Sequence, residues 1–290
     1  MPNWLLFIVP SCIWGSTWLV IKYQYGVVAP EVSVAYRFGF AGAMLFAWCV
    51  ARRESLRFDY KNHITFALLG MVQFALNYVF VYLAEQYLTS GLVAVVFVLM
   101  VLWNLLGAHL LFGQVLGPRL ILGACCGLAG VALVFWPELA QVRRDLVLVK
   151  GLVLAVLGTL GASAGNLLSQ RLYARGTRVL PSTAWSMFYG SVLVALYCAV
   201  RGIPFSRDSS IAYLSSLAYL SIFGSVIAFA GYLTLLGRIG AGRAGYTAAV
   251  IPVLAMIIST VFEDYVWSAP AIVGMVLVLA GNFLVLRNRA

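Results

Sequence analysis

Ten stretches of this chain are long, apolar and nearly free of charged residues. A run of about 20 apolar residues matches the hydrocarbon core of a bilayer, where only helices and closed barrels satisfy their own backbone groups. These runs are too long and too evenly apolar for the alternating strands of a barrel. The sequence therefore predicts an all-α integral membrane protein with ten transmembrane helices, which we number as segments 1 to 10. The segments cover residues 4–22, 32–50, 64–84, 91–112, 118–136, 150–170, 183–200, 211–236, 243–262 and 267–286.

The composition argues against two other classes of protein. Only 10% of the residues are charged and 63% are hydrophobic, whereas a soluble domain carries about 25% charged residues. A net charge of +10 could indicate a nucleic-acid partner, but the basic residues lie in short connectors, as they do in membrane proteins. We therefore expect the lipid bilayer, and no nucleic acid, as a partner of this chain.

The basic residues also predict the orientation. With the N-terminus inside, the cytoplasmic connectors hold twelve Lys and Arg residues and the outer connectors hold six. The positive-inside rule then places both termini in the cytoplasm, in a multi-pass protein of the cell inner membrane. The cluster of Arg143, Arg144 and Lys150 favours the opposite orientation.

The chain repeats itself weakly at an offset near 150 residues, which predicts a duplicated unit. The matching pairs include Tyr23 and Tyr173, Tyr82 and Tyr232, Ala94 and Ala244, and Gly130 and Gly281. We expect residues 1–136 and 150–290 to be the two copies, joined by a linker at 137–149. A five-helix unit crosses the membrane an odd number of times, so its second copy must be inverted. Transporters with inverted repeats bind substrate between the copies.

Segment 6 carries a polar stripe at helical spacing. Thr159, Ser163, Asn166 and Gln170 follow one another at intervals of 4, 3 and 4 residues and share one helix face. Such a stripe does not face lipid, because its hydrogen bonds would be lost there. It either joins helices to one another or lines a hydrated cavity, in which Ser163 and Asn166 would contact a substrate.

Several aromatic residues are further candidates for the cavity. Segment 3 carries Phe74, Tyr78 and Tyr82 at intervals of four residues, with Asn77 beside them. Aromatic rings with a polar edge suit an amphipathic ligand, although such a stripe also arises from packing alone. The other candidates are Trp14, Ser16 and Trp18 in segment 1, Trp103 and Asn104 in segment 4, and Tyr246 in segment 9.

Two prolines and one arginine lie within the apolar segments. A proline inside a helix removes a backbone hydrogen bond, so Pro10 and Pro252 are either hinges for alternating access or static kinks. Arg37 lies within segment 2. It is either a snorkelling or paired structural residue or a guide for anionic groups.

The order of these motifs resembles the EamA-type repeats of the drug/metabolite transporter (DMT) superfamily. The resemblance rests on Trp14-Gly15-Ser16, Lys22, Pro30, Arg37, Ala244, Pro252, Glu263, Gly274 and Gly281. The first copy departs from it, with Leu102 and Gly113 in place of Pro252 and Glu263. Within the superfamily, the aromatic stripes are most similar to those of YddG-type amino acid exporters. The resemblance implies two inverted five-helix bundles around a central cavity lined by helices 1, 3, 4, 6, 8 and 9.

We therefore expect a secondary transporter that exports small metabolites by alternating access, with amino acids, including aromatic ones, as the first candidates. The alternative cargo is another metabolite or a drug, such as a purine, a sugar derivative or a lipophilic cation. A channel or an intramembrane enzyme is a remote alternative, because neither a filter-like loop nor a mid-segment catalytic pair or zinc motif is visible. We expect no catalytic residue, metal or cofactor.

Energy coupling and oligomeric state follow from a few residues. No Asp or Glu lies in the middle of a segment, and Glu85 and Glu263 lie at helix ends, where we expect water to reach them. This pattern favours exchange or facilitated export over proton coupling. The glycines Gly123, Gly127 and Gly130 indicate close helix packing, either within the chain or between two copies. We accordingly expect a monomer or a weak homodimer.

Overall fold

The computed structural model describes residues 1–113, 115, 117–136, 146–232, 234, 235, 238 and 247–287, and all regular elements among them are helices. Segments 1 and 2 are Asn3–Lys22 and Pro30–Ala51, segment 3 is Tyr60–Leu69, Gly70–Leu76 and Asn77–Ala84, segment 4 is Ser90–Val96 and Leu99–Phe112, and segment 5 is Pro118–Val134. Segments 6 and 7 are Leu146–Ala174 and Val179–Val200, segment 8 begins with Ile211–Tyr219 and Leu220–Ile227, and segments 9 and 10 are Thr247–Phe262 and Ala269–Arg287. Within the described residues, each predicted segment therefore contains helix.

Seven of these helical segments are long and apolar enough to cross a membrane. They are Asn3–Lys22, Pro30–Ala51, Tyr60–Ala84, Ser90–Phe112, Leu146–Ala174, Val179–Val200 and Ile211–Tyr232. Segments 5, 9 and 10 contain shorter apolar helices, Ile121–Val134, Val250–Phe262 and Ala269–Gly281. The chain is thus a multi-pass membrane protein. Of the linker expected at 137–149, residues 137–145 lie outside the described part, and the remainder belongs to the helix of segment 6.

Segments 3 and 8 each contain a π-helix, a form that is uncommon and is frequent at functional sites. The first spans Gly70–Leu76 and the second Leu220–Ile227, so their starts are separated by the same 150 residues as the sequence repeat. Segment 4 is also irregular, because a turn at Phe97 and Val98 separates its two helices. The first π-helix and the turn of segment 4 border a cavity, and the second π-helix precedes Phe229 and Tyr232, which also line it.

Glycines allow two pairs of segments to pack at backbone distance. A methyl group added at Gly130 of segment 5 would lie 2.6 Å from the carbonyl oxygen of Gly274, and one added at Gly281 would lie 2.5 Å from that of Gly123. Segment 5 therefore packs on segment 10, and its glycines serve a contact within the chain. Gly70 of segment 3 also lies against segment 7. A methyl group added at Gly70 would lie 2.8 Å from the backbone nitrogen of Gly190.

The other main contacts pair segment 2 with 7, segment 1 with 9, segment 4 with 6, and segment 3 with 6 and 7. They bury two large groups of apolar side chains. One includes Phe38, Phe74 and Leu220, and the other includes Val134 and Met256. Trp18 and Phe97 pack against both groups, so a candidate site lies where the two groups meet.

Candidate functional site

A cavity of about 150 Å³ lies between these two groups of side chains. An apolar cavity of that size can hold a group as large as benzene. Its walls come from segments 1, 3, 4, 6, 8 and 9, the six that the resemblance implied. The lining residues whose contacts matter below are Trp14, Thr17, Trp18, Gln73, Asn77, Tyr78, Phe97, Met100, Ala162, Asn166, Phe229, Tyr232, Thr247 and Pro252.

Aromatic side chains form two walls of the cavity. The Trp14 ring contacts Phe229 and Tyr232, with centroid distances of 5.2 and 5.3 Å. Its indole N–H donates to the carbonyl oxygen of Gly224 at 3.1 Å, which fixes the ring against segment 8. On another side the rings of Trp18 and Phe97 make an edge-to-face contact, with a centroid distance of 4.8 Å. Because the rings hold one another, the cavity offers rigid apolar faces to a ligand.

Three polar atoms at the cavity have no hydrogen-bond partner among the described residues. They are the indole nitrogen Nε1 of Trp18, the amide oxygen Oε1 of Gln73 and the amide oxygen Oδ1 of Asn77. The Asn77 amide is oriented, because its Nδ2 donates to the backbone oxygen of Gln73 at 3.1 Å. A buried polar atom without a partner costs about 1–3 kcal/mol. The residues that line the cavity therefore hold one donor and two acceptors that are buried and without a partner in the described part of the chain.

The opposite wall adds a further amide. Nδ2 of Asn166 lies 3.3 Å from the sulfur of Met100, and a thioether is a weak acceptor. The amide could exchange that contact for a stronger acceptor on a ligand at little cost. The hydrogen-bond donors and acceptors named here thus all belong to uncharged side chains.

The small residues of segment 6 explain why the first π-helix reaches the cavity. A methyl group added at Gly161 would lie 3.0 Å from the backbone oxygen of Val72 and 3.1 Å from the nitrogen of Asn77. Gly165 leaves room for the side chain of Gln73 in the same way. Close approach of the two helices through these glycines determines where the Gln73 and Asn77 amides lie.

Six of the residues predicted for binding or gating line this cavity, and they are Trp14, Trp18, Asn77, Tyr78, Asn166 and Pro252. The others lie elsewhere. The Ser16 hydroxyl is 2.8 Å from the Tyr219 hydroxyl, and Trp103 donates through Nε1 to the Thr159 hydroxyl at 2.9 Å. Both contacts join helices, and the second, at Thr159, corresponds to the alternative interpretation of the segment 6 stripe.

The remaining predicted residues are also outside the lining. Tyr82 and Ser163 are buried, and Asn104 is half-buried. Pro10 packs against segment 8, where a methyl group added at Gly231 would lie 3.0 Å from its ring. Tyr246 lies outside the described residues.

Sequence reasoning missed several lining residues, including Thr17, Gln73, Phe97 and Tyr232. For Gln73 a signal was present, because it precedes Asn77 by four residues and shares its face in a regular helix. No comparable signal marks Phe97, which reaches the cavity through the turn that interrupts segment 4.

Both halves of the chain match a known family of membrane transporters. The model of the EamA-like transporter family matches residues 2–136 and again residues 149–287. The chain belongs to the EamA-like transporter family. Membership supports transport rather than enzymatic catalysis as its role.

Two relatives of this EamA-like transporter are named as transporters, and a third is named as a WAT1-related protein. It is 23% identical to an uncharacterized transporter of Archaeoglobus fulgidus over 100% of both chains. It is 26% identical to the uncharacterized inner membrane transporter YedA of Escherichia coli K12, over 94% of this chain and 89% of that one. A chloroplastic WAT1-related protein of Arabidopsis thaliana is 22% identical, over 98% of this chain and 69% of that protein.

A solved crystal structure resembles the whole molecule. It covers 99% of both chains with a TM-score of 0.71 and 22% sequence identity, which shows a shared fold. The comparisons thus support the EamA family, while the narrower likeness to YddG-type exporters stays a prediction. The names of these relatives state no cargo.

A second polar region of this EamA-like transporter lies at the far end of the helix bundle, opposite Met1, where segments 1, 3 and 9 finish. There Nζ of Lys22 pairs with Glu263 at 2.6 Å. The Ser90 backbone N–H donates to the same carboxylate at 3.1 Å, and the Ser90 hydroxyl donates to it as well. Burial would raise the pKa of Glu263, but the hydrogen bonds from Lys22 and Ser90 outweigh it and hold that pKa below its usual value.

Arg37 lies between the cavity and this far end and is 1% exposed. It donates to the Ser225 hydroxyl at 3.2 Å and to the Tyr82 hydroxyl at 3.4 Å. Its guanidinium also lies 4.7 Å from the centroid of the Tyr78 ring, whose side chain lines the cavity. Arg37 is therefore buried, held by hydrogen bonds to hydroxyl groups and by a ring contact, and it does not snorkel to the membrane surface.

The expectation that water reaches Glu85 is wrong. Glu85 follows segment 3 at the far end, but it is only 2% exposed. The connector between segments 1 and 2 is also packed at this end, since Val28 is 1% exposed and the Tyr25 hydroxyl donates to the Tyr82 backbone oxygen at 2.7 Å. The far end of the bundle is therefore closed by packed side chains.

Proposed function

We propose that this EamA-like protein is a secondary transporter of the cell inner membrane that exports amino acids, including aromatic ones, through the cavity by alternating access. The observation that carries the proposal is the pairing, in one small cavity, of rigid aromatic walls with three unpartnered polar atoms. The relation to YedA, which is named an inner membrane transporter, supports the location.

The two ends of an α-amino acid fit the polar atoms of the cavity. An ammonium group would donate to the amide oxygens of Gln73 and Asn77, which lack donors. A carboxylate would accept from the Trp18 indole N–H and from the Asn166 amide. These groups can serve both ends of a zwitterion, because amides donate and accept. The side chain of the cargo would then lie against Trp14 and its aromatic neighbours.

The charge of the lining favours a cargo without net charge. Among the described lining residues there is no Asp, Glu, Lys, Arg or His. A phosphorylated cargo would meet no cation to pair with. A lipophilic cation could contact the aromatic faces, but it would leave the Trp18 donor unsatisfied. A purine or a neutral sugar derivative remains the competing cargo, because it too combines an uncharged body with polar groups.

The transport mechanism that we infer uses two inverted five-helix repeats, residues 1–136 and 150–290, joined at 137–149. Two observations support this proposal. The π-helices are separated by the repeat offset. The contacts between segments also follow this repeat. A shift by five segments turns the contact of segments 1 and 9 into that of segments 6 and 4, and both contacts are present. Both termini would lie in the cytoplasm, and the transporter would act as a monomer or weak homodimer.

Pro252 is the stronger of the two hinge candidates. It lies within the helix of segment 9 and also lines the cavity, so a bend there would change the shape of the site. Pro10 is packed against segment 8, and we infer for it a role in the movement of segments 1 and 8 together. Both roles depend on the lost backbone hydrogen bond that a proline leaves in a helix.

Efflux from proteoliposomes tests the cargo. Vesicles containing the purified protein are loaded with labelled phenylalanine, threonine or methionine, and release is followed against protein-free vesicles. We expect protein-dependent release that unlabelled amino acids on the outside alter and that adenine or glucose does not. Release no faster than from protein-free vesicles would remove the amino acid assignment, and competition by adenine or glucose alone would favour the other cargo.

A further inference from the structure

The buried carboxyl group of Glu85 has no role in the cavity, and its surroundings differ from those of the neighbouring Glu263. Neither oxygen of Glu85 has a hydrogen-bond partner among the described residues. Glu263, by contrast, receives hydrogen bonds from Lys22 and from Ser90. The far end thus holds two carboxyl groups, one fully paired and one buried without a partner.

The charged and titratable groups around Glu85 come from every element that packs there. Lys22 of segment 1, Arg37 of segment 2 and Glu263 after segment 9 act on it electrostatically. The connector between segments 1 and 2 adds Tyr25, and its own segment adds Tyr82. Lys150 of segment 6 is exposed, and its ammonium group lies 4.7 Å from the centroid of the Tyr87 ring.

These surroundings make both protonation states of Glu85 accessible. Burial and the negative charge of Glu263 favour the neutral acid, whereas Lys22 and Arg37 favour the anion, and the balance raises the pKa of Glu85 well above its usual value. The two cations that act on Glu85 are already engaged, because Lys22 is paired with Glu263 and Arg37 donates to the Ser225 and Tyr82 hydroxyls. A carboxylate at Glu85 would therefore have to compete for one of them.

A buried carboxylate is stable only when it is paired with a cation. Lys22 is held by Glu263 at 2.6 Å, and that ion pair, together with the hydrogen bonds of Ser90, joins segments 1, 4 and 9 at the far end. If Glu85 lost its proton, it would compete with Glu263 for Lys22 or would move toward water. Either change weakens the contacts that close this end.

We propose that Glu85 is a proton-binding site and that its protonation holds the far end of the transporter closed. The step is the addition of one proton to the Glu85 carboxylate, with no other bond formed or broken. The inference rests on the alternating access proposed above but not on the identity of the cargo. It differs from the expectation that favoured exchange or facilitated export over proton coupling.

The sign of the pH effect follows from linkage. Because the closed state has the higher affinity for the proton, closing is favoured most at low pH. The equilibrium then shifts toward the open state as pH rises from the ordinary carboxyl value, about 4.3, toward the raised value of the closed state. One proton changes this equilibrium by at most about tenfold per pH unit.

Distance measurements between two spin labels test the proposal without any cargo. The labels are attached to Gln86→Cys and Val266→Cys, two exposed positions on the far-end connectors, in a chain whose five cysteines have been replaced. We expect a short distance at about pH 5 and a growing population of a longer distance toward about pH 9. In Glu85→Gln, whose amide cannot lose a proton, the short distance should persist throughout.

Two further variants control the measurement. Glu54→Gln changes a carboxyl group at the other end of segment 2 and should keep the wild-type pH response, and Glu85→Asp should restore it with a shifted midpoint. The proposal is overturned if Glu85→Gln responds to pH like the wild type, or if no longer distance appears at any pH. An intact pH response in a protein that releases no amino acid would instead remove only the cargo.

Discussion

At the scale of single residues, the cavity combines side chains that are already satisfied with side chains that are not. Trp14 is held by its hydrogen bond to Gly224 and by two neighbouring rings. Trp18, Gln73 and Asn77 each keep one polar atom without a partner in the described part of the chain. We therefore expect substrate affinity to depend on these three residues more than on the aromatic wall.

Replacement of Gln73 by leucine tests this dependence. Gln73→Leu keeps most of the side-chain volume and removes the amide oxygen that would accept from the substrate ammonium. A hydrogen bond to a charged group contributes about 1.5–3 kcal/mol, so the half-saturation concentration for phenylalanine efflux should rise by roughly 10- to 100-fold. The maximal rate should change less than the half-saturation concentration.

Gln86→Leu is the matched control, because Gln86 has the same side chain but is exposed at the far end. It should leave the half-saturation concentration within about twofold, since surface substitutions have small effects. Equal behaviour of the two variants would contradict a substrate contact at Gln73.

The sequence predicted part of the cavity lining and failed where helix geometry departed from the regular pattern. Phe74, Tyr78 and Tyr82 were expected on one face, but eight residues advance a regular helix by roughly 80° beyond two full turns, and a π-helix also interrupts the series. Tyr78 lines the cavity, whereas Phe74 and Tyr82 are 3% and 0% exposed in the core. Such a change of register is not visible in residue types.

At the scale of helices, glycine faces set the distances between segments. Segment 6 approaches segment 3 through Gly158, Gly161 and Gly165, and segments 5 and 10 meet through Gly130 and Gly274. The sequence predicted the helices because long apolar runs have few alternatives in lipid. The sequence left open whether the segment 5 glycines faced another segment or another molecule, because a motif of small residues does not show which helix packs against it.

Alanine substitutions in segment 5 test the internal contact. Gly130→Ala would bring a methyl group within 2.6 Å of the Gly274 carbonyl oxygen, and overpacking of this kind costs about 1–3 kcal/mol. Gly127→Ala is the control, because its nearest neighbour would be Val98 at 3.9 Å. Thermal unfolding in detergent should show a lower midpoint for Gly130→Ala only, and equal midpoints would contradict the packing described here.

At the scale of the whole molecule, the cavity lies where two groups of buried side chains meet, and the far end is closed by long-range contacts. Lys22 reaches Glu263, and Gln24 receives a hydrogen bond from the Tyr82 hydroxyl at 3.2 Å. The sequence could not predict that Glu85 is buried, because the groups that act on it, such as Lys22 and Glu263, are distant in sequence. In the proposed export cycle, the far end must open to release the cargo.

The central claim is that one cavity is reached from both sides of the membrane and binds the cargo. A single thiol introduced by Ala162→Cys, which lines the cavity, tests it in a cysteine-free background reconstituted in one orientation. A membrane-impermeant thiol reagent is added to either side, with and without phenylalanine. We expect the thiol to be modified from both sides, and more slowly in each case when phenylalanine is present. Modification from one side only, at a rate that phenylalanine does not change, would contradict it.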